Sequence, residues 1–133
     1  MRKLLAVLTT LTVLQLLTPK MAAPESHPAP LKVMKSWEGM ASWYGDQWAG
    51  KKTACGQKFD PERLTAAHPY LPCGTWLRIT NVRTGHSEFA TVTDRGPYEE
   101  GREIDVSARV ARRIDLRKFG VEKVKIEIVR LAE

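Results

Sequence analysis

Residues 88–107 read EFATVTDRGPYEEGREIDVS, and two changes of pattern inside this stretch decide the fold. Glu88–Thr93 alternates as a half-buried strand does. Asp94-Arg95-Gly96-Pro97 then supplies turn chemistry. Ile104-Asp105-Val106 is a very short apolar run, and Ser107 has the residue type that caps a following helix.

Outward from this stretch the same signals recur. Trp76–Thr80 alternates and ends at Asn81, and Asn81–Gly85 turns the chain back toward Glu88. Val124, Ile126 and Ile128 alternate with Lys125 and Glu127, which predicts a strand with one wet face. Met40–Tyr44 predicts a first strand closed by Gly45. After Ser107, the residues Val110, Ala111 and Ile114 share one helix face, and Gly120 follows its end. Short strands with a single helix predict a mainly β fold, a small closed barrel with no long free edge, and a monomer.

The 133 residues leave room for one domain once an export segment is set aside. Arg2 and Lys3 precede a mostly apolar run from Leu4 to Leu17, too short for a membrane anchor, and Met21-Ala22-Ala23 resembles a cleavage site followed by Pro24. Residues 1–23 therefore read as a signal peptide, with no cysteine placed for lipidation. Residues 24–38, with three prolines and no periodicity, read as a linker, and 39–133 as the domain. The expected location is the periplasm, cell wall or outside of the cell. The formal charge of +6 includes Arg2, Lys3 and Lys20; without them 18 basic residues face 15 acidic ones. That mild, scattered excess argues against nucleic acid as a partner.

Cys55 and Cys73 stand 18 positions apart. In an exported domain one disulfide is the simplest pairing, worth about 3 kcal/mol as a loop constraint; two free thiols are the alternative. His27, His68 and His86 show no ligand-like spacing with them, so no metal is expected.

Three segments carry candidate chemistry. In Gly39-Met40-Ala41-Ser42-Trp43-Tyr44-Gly45, followed by Trp48, aromatics beside glycines suit the C–H faces of sugar rings. Tyr44, at the strand end, reads as ligand-facing, whereas Trp43 reads equally as part of a buried strand. In 53–75, small and polar residues suit a loop lying close to a ligand. There His68 is read either as touching substrate or orienting a carboxylate, or as a structural histidine, and Asp60 before Pro61 reads as a turn former. In the third segment, Asp94 sits at a barrel mouth beside Arg95, and turn-capping is its plainer reading. Asp105 inside an apolar strand requires a partner and reads as supporting the site.

Together GMASWYG, TACGQKFD, LTAAH, LPCGT, RITN, TDRGPY and EIDVS, in this order over residues 39–131, resemble the rare lipoprotein A (RlpA) family. The resemblance implies a six-stranded double-psi β-barrel with one short helix, related to barwin and expansins. It also implies a lytic transglycosylase that cuts peptidoglycan glycan strands lacking stem peptides, with no cofactor. The resemblance implies Asp94 as acid/base; on that reading Tyr44, Trp43, Gln57, His68 and Arg95 are expected to contact substrate, with Thr53 and Asp105 supporting them. The family's motif carries a glutamate where this chain has Gln57, and glutamine cannot carry a proton. Cys55 replaces the commoner asparagine or serine. Two alternatives follow: a non-catalytic, expansin-like wall-binding module, favoured by Gln57, and a secreted inhibitor or interaction protein that kept only the barrel.

Overall fold

β6 (Glu122–Leu131) pairs with a strand on each side, and its pairing sets the rest. The computed structural model describes residues 29–133. The expected signal peptide and residues 24–28 lie outside the described residues. Five further strands precede β6: β1 (Leu31–Trp43), β2 (Thr65–Ala67), β3 (Trp76–Asn81), β4 (Ser87–Asp94) and β5 (Ile104–Val106). They close a barrel in the order β1-β5-β2-β4-β3-β6. The β1–β5 and β2–β4 pairs are parallel and the others antiparallel. The expected closed, six-stranded, mainly β architecture is the one found.

Alternation explains the core. In β3, Leu77 and Ile79 are fully buried while Trp76, Arg78 and Thr80 are not, as a period of two requires. They meet Ala90 and Val92 of β4, Val124 and Ile126 of β6, and Ile104 and Val106 of β5. Val110, Ala111 and Ile114 pack onto this core from α1 (Ala108–Arg113) and its end. The Ser107 hydroxyl accepts from Val110 N at 3.3 Å and caps α1 as expected.

Four expectations need correction. A second short helix, α2 (Leu116–Phe119), follows α1, because Asp115 takes a left-handed conformation (φ 62°) that breaks the run. The linker ends earlier than residue 38: β1 begins at Leu31 and pairs with β6 from Leu31↔Leu131 to Ala41↔Glu122. Its first residues are mostly exposed, so no alternation marked them as a strand. The wet face of β6 is incomplete. Glu127 is buried, 2.7 Å from Arg78 Nε and 3.6 Å from Lys125 Nζ, while Val129 turns inward opposite a register shift between Val33 and Lys35. Finally, among the described residues β5 pairs only with residues 41–43 of β1, so the earlier part of β1 pairs on one side alone. Lys32, Lys35 and the bulge are features that discourage pairing along such an edge.

Candidate functional site

Barrel closure brings the ends of three strands together. β1 runs out at Trp43 and delivers Tyr44, β4 ends at Asp94, and β5 carries Asp105. The parallel register of β1 and β5 sets Ser42 opposite Asp105. Between the loops that follow lies a hollow of about 420 Å³, with Tyr44, Asp94 and Asp105 among its lining residues.

Asp94 is an acceptor at both carboxyl oxygens. Oδ1 accepts the backbone N–H of Ala54 at 2.8 Å and that of Arg95 at 2.9 Å. Oδ2 accepts the Tyr44 hydroxyl at 3.2 Å. Burial, aided by the charges of Asp94 and Asp105, raises the Tyr44 phenol far above its ordinary value, so it stays a donor. Asp105 differs. Burial pushes its carboxyl above the usual carboxylate range, against the hydrogen bond it accepts from the Ser42 hydroxyl and the nearby Arg102 guanidinium. Arg102 is itself held by Glu99 at 2.9 Å and approaches Ser42 Oγ at 3.4 Å. Two carboxyls thus line one hollow in different environments, Asp94 held by two backbone amides and a phenol and Asp105 by a serine hydroxyl.

Exposed rings flank the carboxyls. Trp48, 46% exposed, comes from a single 3₁₀ turn over Asp46–Trp48, with the Lys51 ammonium 4.9 Å from its ring centroid. Tyr98, 82% exposed, lies two residues after Gly96, whose φ of 103° favours glycine.

The expected site residues divide accordingly. Asp94, Tyr44 and Arg95 line the hollow, and so do Thr53 and Asp105, expected only to support it. The Arg95 guanidinium, however, donates to the carbonyls of Leu71 (2.7 Å) and His68 (3.3 Å), clasping that loop. Trp43 packs against the core with the Arg117 guanidinium 5.2 Å from its ring centroid, and Trp48 takes the place at the hollow. His68 is fully buried and does not touch the hollow. Its Nδ1 accepts from the amides of Tyr70 and Leu71 at 3.3 Å, and Nε2 faces Glu103 Oε1 at 3.6 Å. Two backbone donors thus already occupy its acceptor nitrogen.

Gln57 is exposed and lies on a neighbouring hollow of about 500 Å³ with Asp60 and Thr93. Its Oε1 accepts from Thr53 Oγ1 at 3.4 Å. Asp60 accepts from Glu62 N at 2.9 Å, the turn contact expected of it. Cys55 and Cys73 form the expected disulfide. Sequence reasoning did not assign Ser42, Trp48, Tyr98 or Arg102. Ser42 and Trp48 lay in or beside a quoted motif, but only the register and the 3₁₀ turn reveal where they point. Among the described residues no helix is long and apolar enough to cross a membrane, and no group of three or more His, Cys, Asp or Glu is placed to hold a metal ion.

A family model described as lytic transglycolase matches residues 36–126. A Nostoc protein named probable endolytic peptidoglycan transglycosylase RlpA is 47% identical over 96 residues, covering 71% of this chain and 26% of that one. The endolytic peptidoglycan transglycosylase RlpA of Yersinia pestis is 46% identical over 94 residues, with the same coverages of 71% and 26%. A probable RlpA transglycosylase of Aquifex aeolicus is 39% identical over 99 residues, 74% of this chain and 44% of that one. The chain thus spans between a quarter and a half of the length of these relatives. Among solved structures, the Streptomyces papain inhibitor superposes with a TM-score of 0.60 at 21% identity, over 74% of this chain and 97% of that one. An expansin from Clavibacter michiganensis gives 0.58 at 19% identity, over 74% and 52%. These two likenesses show the shared fold.

Proposed function

Because the chain belongs to the lytic transglycolase family of double-psi β-barrels, we propose that it is an exported peptidoglycan lytic transglycosylase. It cuts glycan strands, preferably those lacking stem peptides, and leaves 1,6-anhydromuramic ends. The names of its relatives support the substrate class. The observation that carries the chemistry is the Asp105 carboxyl, raised by burial, lining the same hollow as the anchored carboxyl of Asp94.

The reaction needs no water. The Asp105 carboxyl, whose proton affinity burial raises, gives a proton to the glycosidic oxygen as the C1–O bond breaks. Positive charge then builds on C1 and the ring oxygen. The muramic C6 hydroxyl closes onto C1, and its proton returns to Asp105, so one carboxyl acts as acid and then as base. The family resemblance assigns this role to Asp94. The three hydrogen bonds that Asp94 accepts, one of them from Tyr44, suit it better to being held in place facing the developing cation. Trp48 and Tyr98 offer ring faces to the sugars on either side.

Gln57 favours a second reading, a wall-binding module without chemistry, since the family glutamate is absent. One experiment separates the two. The purified protein is incubated with peptidoglycan stripped of stem peptides, beside Asp105→Asn, Asp94→Asn and Gln57→Glu, and products are read by mass spectrometry. Anhydromuramic ends from wild type and none from Asp105→Asn support the enzyme. If Asp94→Asn alone abolishes them, the proton roles revert to Asp94. Binding to sacculi without products in wild type, with products only from Gln57→Glu, establishes the binding module.

A further inference from the structure

Both amide donors to Asp94 Oδ1 sit beside the single disulfide. Ala54 immediately precedes Cys55, whose own amide donates to Thr93 O at 3.2 Å. Arg95, the second donor, sends its guanidinium to the carbonyls of Leu71 and His68 and lies 3.7 Å from Cys73 Sγ. Gly74 N bonds Val92 O at 2.8 Å on the same side. The Cys55–Cys73 bond joins these two loops. A closed circuit of covalent and hydrogen bonds therefore surrounds the carboxyl: Asp94 to Ala54, across the disulfide, back along 71–73 to Arg95, and to Asp94 again. The circuit touches the barrel core at Leu71 and Val92, while most of the core, including Leu77, Ile79, Val124 and Ile126, stands outside it.

We propose that the Cys55–Cys73 disulfide is a positioning element for Asp94, so that activity follows its oxidation state. The activity readout rests on the transglycosylase reading above. Cys73 is exposed and open to attack. A dithiol's thiolate attacks Cys73 Sγ and releases Cys55 as a thiolate, which takes up a proton. The reagent's second thiol then attacks the mixed disulfide and frees Cys73. Two electrons and two protons pass to the protein, and the reagent leaves as its cyclic disulfide.

The test compares the protein before and after dithiothreitol, and after reoxidation, beside a Cys55→Ser/Cys73→Ser double variant. Amide hydrogen exchange at Ala54 and Arg95 is followed by NMR together with kcat and KM on stripped glycan. Reduction is expected to speed exchange at these two amides at least tenfold while β3 and β6 stay protected. It should lower kcat about 10- to 100-fold with KM within about threefold, in line with the cost of small misplacements of reacting groups. Reoxidation should restore both, and the double variant should match the reduced protein and ignore dithiothreitol. Unchanged exchange at Ala54 and Arg95, or loss of protection spread across β3 and β6, overturns the inference. Local loosening with no cleavage in either state supports the positioning role and counts against the transglycosylase reading instead.

Discussion

The Tyr44 hydroxyl donates to Oδ2 of Asp94 across 3.2 Å, joining residues 50 positions apart at the ends of β1 and β4. The bond fixes the face of the Asp94 carboxyl that the two backbone amides leave open. Its loss can therefore be felt at the site with little effect on the barrel.

Tyr44→Phe removes that donor alone. Activity should fall about tenfold, the equivalent of one hydrogen bond to a charged group, with stability changed by no more than about 1 kcal/mol at pH 7. Because the folded protein holds this phenolic proton more tightly than the unfolded chain, its contribution to stability is complete below the ordinary value of 10.0 and is lost as pH rises beyond it. Urea midpoints between pH 8 and 11 should decline more steeply for wild type than for Tyr44→Phe.

Asp105→Asn should abolish proton transfer and lower kcat by about 10²- to 10⁴-fold. It should also raise the melting temperature at pH 7. Burial makes the folded state retain the Asp105 proton, so this group's stabilisation is present below the ordinary value of 3.8 and lost as pH rises through its higher folded value. The advantage of asparagine should therefore shrink toward acid pH. Calorimetry of both proteins at pH 7 and pH 3 checks it; a less stable variant at pH 7 would contradict the desolvated carboxyl.

His68 holds a turn through Nδ1. His68→Asn, which keeps an acceptor near that point, should cost about 1–2 kcal/mol. His68→Ala should cost about 3 kcal/mol by leaving two amides and a void. Burial lowers the imidazole's affinity for a proton below the ordinary 6.5, so its stabilisation is present above that pH and lost as pH falls through the folded value. Denaturant unfolding from pH 7 to 4 should show that acid slope in wild type and a shallower one in His68→Asn.

Gly39 offers a test of packing beneath the site. A Cβ there would stand 2.7 Å from Glu103 Cβ and 2.8 Å from its Cγ, close to the strand backbone and unable to swing aside. Glu103 also accepts from Trp37 Nε1 at 3.1 Å. Gly39→Ala should destabilise by about 1–3 kcal/mol, and chemical denaturation measures it.

β3, β4 and β6 were legible because burial on one face prints a period of two, and Ser107 because a cap needs a particular side chain. β5 and β2 have three residues each and show no period; β5 was read from the turn before it and the cap after it, whereas Thr65–Ala67 has no such neighbours. The first part of β1 was hidden by its exposed lysines and serine, which follow its singly paired stretch and not a core. At the site, residue types told where carboxyls and aromatics were concentrated, yet not which way each pointed. Trp43 and Trp48 are five positions apart in one motif, and only the strand end followed by a 3₁₀ turn sends one to the core and the other to the hollow. Likewise Asp105 read as support because its strand is apolar; the register beside Ser42 turns that same burial into a raised carboxyl.

The singly paired stretch of β1 has one more consequence. Leu31 faces Leu131 in the sheet, and the Ala132 amide donates to the Pro30 carbonyl at 2.8 Å. The two leads of the fold thus leave side by side, while Tyr44 lies beyond the far end of a strand of thirteen residues, about 40 Å along the chain. A barrel wired this way is a cassette. Further chain can be joined at either lead without disturbing the strand ends that carry Tyr44, Asp94 and Asp105.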